Sequence, residues 1–283
     1  MSLLRLFATR LRPVLFLWMA ARRWWYAEKL GAVIFADSIQ RGGSVWRAAD
    51  SVSARATVQP ADSVRIVSIS DTHGFHRRIK SLPRADVLVH CGDILYESGK
   101  MSMAEGVAVL ADFNDWISAF EHPCKLVIAG NHDILLQRLG QRDVREVLSG
   151  CTYLEDELWT SPTGLRVYGT PYSLSNGALS QNCAFQSQRD TGVARARVRA
   201  IPPCDVLLTH GPPEGIGDDP AVWRSHGCPE LRRRVAEIAP VLHVFGHVHQ
   251  AHGVATHGRT TFVNASITDF WNTPKNEPVV VTL

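Results

Sequence analysis

Residues 64–73 read VRIVSISDTH: an apolar, β-branched run, Val64–Ser70, that stops at the cluster Asp71-Thr72-His73. Four further stretches repeat the form. Asp86–His90 (DVLVH) leads to Cys91-Gly92-Asp93, and Lys125–Ala129 (KLVIA) leads to Gly130-Asn131-His132-Asp133. Asp205–Thr209 (DVLLT) runs into His210-Gly211, and Leu242–Phe245 (LHVF) into Gly246-His247-Val248-His249. Short β-branched runs bounded by Gly or polar clusters read as buried strands of a sheet. In an open α/β sheet, ligands bind in the crevice beyond the carboxyl ends of the strands. Every cluster here occupies that end of its strand. The five are therefore expected to converge in space as a two-metal hydrolytic site.

Between the clusters the chain reads as helix. Ala104–Phe120 carries Val107, Leu110, Phe113, Trp116 and Ile117 at helical spacing, and Pro123 blocks its continuation. Arg142–Leu148 is a shorter candidate, and Pro229–Ala239 opens with Pro at a first-turn position and ends before Pro240. Gly253–His257, Thr260–Asn264 and Val279–Leu283 read as a terminal meander of strands. The fold class expected is α/β, a layered α/β/α arrangement with a β-sandwich core flanked by helices.

The whole chain sets outer bounds. Its 283 residues are 45% hydrophobic and 20% charged with mean hydropathy −0.05, which suffices for a core that folds without staples. A net charge of +3 with no basic stripe beyond the N-terminal region gives no footprint for a nucleic-acid polymer. Six cysteines lie far apart without a C-x-x-C pair, so free thiols in a reducing, intracellular and cytoplasmic setting are expected. The sequon Asn264-Ala265-Ser266 closes an apolar run and is not expected on an exposed loop.

Residues 1–62 stand apart from residues 63–283, which carry the strand-and-ligand pattern. No acidic residue precedes Glu28, whereas Arg5, Arg10, Arg12, Arg22 and Arg23 are basic. Leu4, Phe7, Leu11, Leu15 and Trp18 recur every three or four residues, as in an amphipathic helix. The apolar stretch Pro13–Ala21 is shorter than the roughly 20 residues that span a bilayer. Three readings stay open: a cleaved transit segment, a peripheral membrane contact through residues 1–36, and a helix packed on the catalytic domain. The first two make a mitochondrial or membrane-associated location the alternative. Residues 42–62, rich in Ser and Ala, read as a linker.

Taken singly, each cluster is weak. His-x-His is more often structural than ligating, and Gly-Asn-His-Asp suits a tight turn. Their joint occurrence at five strand ends is what points to metal. D-x-H, G-D, G-N-H-D, H-G and G-H-x-H, in this order, resemble the calcineurin-like metallophosphoesterase superfamily. VYGTPY (167–172), THGPPEG (209–215), HGCPEL (226–231), LHVFGHVHQ and FVNAS are similar to its metallophosphoesterase-domain-containing (239FB-like) subfamily. The resemblance covers about Val64 to Leu283 and implies a metallophosphoesterase fold around two divalent metal ions. It implies that Asp71, His73 and His249 hold the first, that Asp93 bridges both, and that Asn131, His210 and His247 complete the second. Such mixed ligands suit Mn, Fe or Zn better than calcium, with Mn expected to serve in vitro.

Charge explains why such a site favours phosphate. Two divalent ions bring four positive charges; Asp71 and Asp93 remove two and a bridging hydroxide a third, leaving about +1 for a phosphate anion. His132, next to ligand Asn131, is the candidate for protonating the leaving group. Asp133 either orients the His132 ring or caps a helix. Cys91 is expected to pack, and His90 to be a satisfied core histidine. His76, Arg77 and Arg78 read as solvated surface with phosphate contact as the alternative. Phe75, Tyr172, Trp223 and Trp271 are candidates to line the pocket. The expected partner is a small phosphoester, and the expected reaction is phosphodiester hydrolysis, with small or cyclic nucleotides suggested by the subfamily. A phosphomonoesterase or protein phosphatase is the alternative, although no Arg other than Arg77 and Arg78 adjoins a motif. A non-catalytic scaffold and a nuclease rank below both.

Overall fold

A computed structural model describes residues 39–41, 44–47, 63–96, 101–177, 180–189, 191–218, 226–269 and 271–283. The amphipathic segment expected at residues 1–36, and Trp223, lie outside the described residues. Within the stretch expected as a linker, Ser44–Arg47 (β1) forms a strand, because its backbone pairs antiparallel with residues 254–256.

The first half of the catalytic region alternates strand and helix: Arg65–Ile69 (β2), Val87–Cys91 (β3), Met103–Ser118 (α1), Cys124–Ile128 (β4) and Ile134–Val147 (α2). The second half contains Arg166–Thr170 (β5), Gly192–Ala200 (α3), Val206–Thr209 (β6), Pro229–Ile238 (α4), Leu242–Phe245 (β7), Gly253–His257 (β8), Thr260–Asn264 (β9) and Val279–Thr282 (β10). The five ligand-bearing strands divide between two sheets. Strands β2, β3 and β4 are parallel neighbours in one, and β6 and β7 are parallel neighbours in the other.

Side-chain alternation builds the layers. Ile66, Val89, Leu126 and Ile128 face Val206, Leu208, Val244 and Val263 in one buried cluster between the sheets. On the outer face of the first sheet, Val67, Leu88 and Val127 meet Leu110 and Phe113 of α1 and Leu136 of α2. On the outer face of the second, Leu207, Phe245 and Phe262 meet Leu231 and Val235 of α4. The result is the expected β-sandwich flanked by helices. Each of these buried aliphatic or aromatic side chains contributes about 1.5–3 kcal/mol relative to exposure.

Three expectations are corrected. The terminal strands are not a meander: β8 and β9 form an antiparallel hairpin in the second sheet, while β10 crosses to pair antiparallel with β2 in the first. Helix α2 starts at Ile134 rather than Arg142, since Gly140 at φ 77° breaks the helical path and leaves periodicity visible only after it. His76 is buried, not solvated: its Nε2 lies 2.8 Å from Asp112 of α1.

Candidate metal centre

The loops that follow β2, β3, β4, β6 and β7 bring together the side chains singled out above. Asp71, His73, Asp93 and His249 present ligand atoms within 4.8 Å of one another, and so do Asp93, His210 and His247. Asp93 belongs to both groups. Asn131 joins the second, with Oδ1 2.8 Å from His210 Nε2, while its Nδ2 donates to the Asn182 carbonyl at 3.2 Å. That donation fixes the amide so that its oxygen faces the cluster.

Tight turns aim these groups. Asp71, His73, Asp93 and His247 have φ of 55°, 44°, 57° and 68°, a left-handed backbone that side chains other than glycine adopt at a cost. Concentration of such strain on four residues of one cluster marks a functional site. The turns are tied across sheets: His247 N–H donates to the Asp71 carboxylate at 3.0 Å, and Thr268 Oγ1 donates to the Asp71 carbonyl at 3.0 Å. Asn264, buried as expected, donates through Nδ2 to the Val248 carbonyl at 2.9 Å and so steadies the Gly-His-Val-His loop.

The histidines are set for cations. A carbonyl only accepts, so His73 Nδ1 donates to Leu95 O at 3.0 Å, His210 Nδ1 to Cys91 O at 2.9 Å and His249 Nδ1 to Asp269 O at 3.0 Å. With the Nδ1 proton held there, each ring, once deprotonated at Nε2, turns that lone pair inward, as metal-binding imidazoles do. His73 Nε2 and His249 Nε2 approach to 3.2 Å, an arrangement that a cation between them would relieve. The donor set of carboxylate, imidazole and amide oxygen therefore fits divalent transition ions.

Charge within the cluster follows from its carboxylates. Burial disfavours ionised Asp93, but His210 and His132 overcome it and hold its carboxyl well below the usual range. Burial likewise opposes Asp71, which the His249 hydrogen bond and charge hold low. Burial, then the His132 charge, depresses His73 to about 3. His210 is raised to about 9 against burial, because Asp93 bonds it and attracts its proton.

Two glycines make room for this packing. A Cβ on Gly246 would lie 2.0 Å from Asp71 Oδ2 and 2.1 Å from Ser70 Oγ; one on Gly130 would lie 2.3 Å from Asp93 Oδ1. Gly246→Ala is expected to displace Asp71 and to lower metal-dependent hydrolysis about 100-fold, the effect of a misplacement near 1 Å. Gly192→Ala, where an added Cβ meets nothing within 4 Å, should match wild type. Elemental analysis of both variants after metal loading, beside turnover, checks the contrast.

His132 stands at the cluster's rim. Its ring meets that of His73 at 4.5 Å between centroids, and its Nε2 is 3.8 Å from Asp93 Oδ2. Asp133 does something other than expected. It sits at the N-cap position of α2, yet its side chain makes no capping bond. Its carboxylate accepts backbone N–H bonds from Gly130, Asp93, Ile94 and Leu95 at 2.8–3.3 Å, and so clamps the loop that carries Asp93. Burial and then the Asp93 charge push its acid up to about 7, against the pull of those N–H donors.

Other expectations resolve around this centre. His90 is buried 3.0 Å from Thr72 Oγ1, and burial pushes the Cys91 thiol up, which suits packing. Arg77 bonds Asp112 at 2.6 Å, and Arg78 lies over the Phe75 ring at 4.6 Å. Tyr172 carries the Arg197 guanidinium over its ring at 3.3 Å and lines a separate hollow, while Trp271 is partly exposed. Sequence reading missed the clamp role of Asp133 and the Asn182 carbonyl. Only the first had a signal, in Gly-Asn-His-Asp itself.

Comparison with known proteins agrees with this geometry. The Caenorhabditis elegans UPF0046 protein C25E10.12 is 35% identical over 240 residues, covering 77% of this chain and 80% of that protein. Human metallophosphoesterase domain-containing protein 1 is 33% identical over 250 residues, covering 80% and 72% respectively. A solved crystal structure shares the fold at TM-score 0.54 and 16% identity, over 74% of this chain and 92% of its own. The family model for calcineurin-like phosphoesterases matches residues 64–251, from the first ligand-bearing strand to just beyond His249. The chain therefore belongs to the calcineurin-like phosphoesterase family, whose members are metal-dependent hydrolases.

Proposed function

We propose that this protein hydrolyses phosphodiesters, with small or cyclic nucleotides as the substrate class, at a centre of two divalent cations. Asp71, His73 and His249 would hold one, Asn131, His210 and His247 the other, and Asp93 both. The observation that carries this reading is the membership of Asp93 in both ligand groups. When bound, the cations (Mn, Fe or Zn) would supply charge that draws the phosphate and would acidify the water that attacks it.

The chain's own residues account for the remaining chemistry. Pinned Nδ1–H groups keep three imidazoles in one orientation, so no reorganisation is needed as charge builds on the phosphoryl oxygens. His132 delivers a proton to the departing oxygen from the rim, where its side chain keeps 14% exposure. Arg77, one of the two arginines that adjoin a motif, is engaged with Asp112. The second negative charge of a monoester usually calls for a guanidinium partner, and that engagement favours the diester.

The test is turnover of bis-p-nitrophenyl phosphate, p-nitrophenyl phosphate and cyclic nucleotides by protein loaded with Mn²⁺. Faster turnover of the diesters is expected; rates at background on all of them refute the reading. His132→Ala should lower kcat by about 100-fold or more on alkyl diesters, and less on aryl diesters whose leaving group needs little protonation. An equal loss on both would remove His132 from the acid role.

A further inference from the structure

His132, at the rim of the metal centre, also lines an open hollow together with Tyr96, Met101, Met103, Leu135 and Arg138. We propose that this hollow receives the departing alcohol of the substrate, and that it selects an apolar or aromatic alcohol bearing a second anionic group. The inference rests on the phosphodiesterase reading above.

Position comes first. In the reaction the water oxygen forms a bond to phosphorus and releases a proton to solvent, which resupplies the one His132 donates, while the bond to the departing alcohol breaks. The alcohol oxygen keeps that electron pair and takes a proton from His132. The oxygen must therefore reach the His132 ring, and whatever it carries continues past that ring. His132 Nε2 lies 3.8 Å from Asp93 Oδ2, and the same residue lines this hollow.

The walls say what continues. Met103 and Tyr96 are large apolar residues that stay open, with 53% and 37% of their surfaces exposed, beside buried Leu95 and Leu135. Clustered exposed apolar surface is costly unless something covers it, and flexible methionines adapt to flat or irregular shapes. Gly106 of α1 keeps the floor shallow: a Cβ there would meet Leu135 Cδ2 at 2.9 Å and Met101 Sδ at 3.3 Å.

The charge comes from α2. Arg142 pairs with Glu146 and Arg145 with Glu157, whereas exposed Arg138 forms no ion pair with a described residue. A guanidinium with no ion pair among the described residues, in a hollow that also carries Tyr96 and Met103, matches a carboxylate or phosphate on the departing group. Arg138 is thus a specificity-determining residue: it would read the far end of the leaving group.

Two diesters test this, methyl 4-carboxyphenyl phosphate and methyl 4-acetylphenyl phosphate, which differ in leaving-group charge. Comparing each variant with wild type on the same ester removes intrinsic reactivity. Arg138→Gln is expected to lower kcat/KM for the carboxyphenyl ester about tenfold and to leave the acetylphenyl ester within about twofold. Met103→Glu, at an exposed position, should lower the carboxyphenyl rate more than the acetylphenyl rate. If metal-loaded wild type turns over neither ester, the phosphodiesterase reading falls and this subsite with it. If wild type turns over both and Arg138→Gln changes them equally or not at all, the subsite alone is overturned. A loss in Arg138→Gln confined to p-nitrophenyl phosphate would also overturn it, by placing the guanidinium on the reacting phosphate.

Discussion

Asp93→Ala is expected to abolish turnover, by about 1,000-fold or more, and to remove the thermal stabilisation that divalent cations give the wild type. Replacing any other ligand strips one group of one member; replacing Asp93 strips both groups at once. Its carboxylate also organises the metal-free protein. Oδ1 accepts the His132 backbone N–H at 2.8 Å and lies 3.4 Å from His210 Nε2. Without it, six of the side chains assigned to the centre remain, with Asp71 the only carboxylate left to offset cationic charge. Thermal melts with and without Mn²⁺, read beside metal content, separate loss of binding from loss of folding. A variant that retains wild-type metal content and turnover would end the role assigned to Asp93.

Much of this was legible because two physical signals coincide. The short apolar, β-branched runs Ile66–Ile69 and Leu126–Ile128 mark buried strands, and the Asp, His and Asn clusters mark where each strand stops. Convergence of the five clusters follows from that pairing of signals, whereas the division into two groups that share Asp93 is what the family resemblance implies. What stayed hidden depends on contacts between distant stretches. Nothing in DVLLT or KLVIA tells that these strands lie in different sheets, since each is buried on both faces either way. Helix α3, GVARARVRA, buries only Ala194 and so lacks an apolar stripe to read. Ser44–Arg47 is a strand only because β8 offers it an edge. Arg138 gained meaning from the fold, which sets it beside His132 while its helical neighbours Arg142 and Arg145 find carboxylates elsewhere.

Asp133→Ala is expected to damage folding and catalysis together, because its carboxylate supports the loop that carries Asp93 rather than the reacting atoms. Four backbone N–H groups, from Gly130, Asp93, Ile94 and Leu95, end on its two oxygens. A buried N–H left unsatisfied costs about 1–3 kcal/mol, and water entering the vacated space recovers part of that, so a net loss of about 3 kcal/mol or more is expected. For a domain of this size that lowers Tm by roughly 6–12 °C. Asp133→Asn preserves one acceptor but turns an NH₂ group toward at least one backbone N–H, so an intermediate loss follows. Turnover should fall about 10–100-fold in either variant, as for groups that position metal ligands, with weaker metal retention and an unchanged pH profile for what activity remains. A residue that oriented the His132 ring would instead shift the acidic or basic limb of that profile. A melting temperature like that of wild type, combined with a moved pH limb, would return Asp133 to the role of partner for His132.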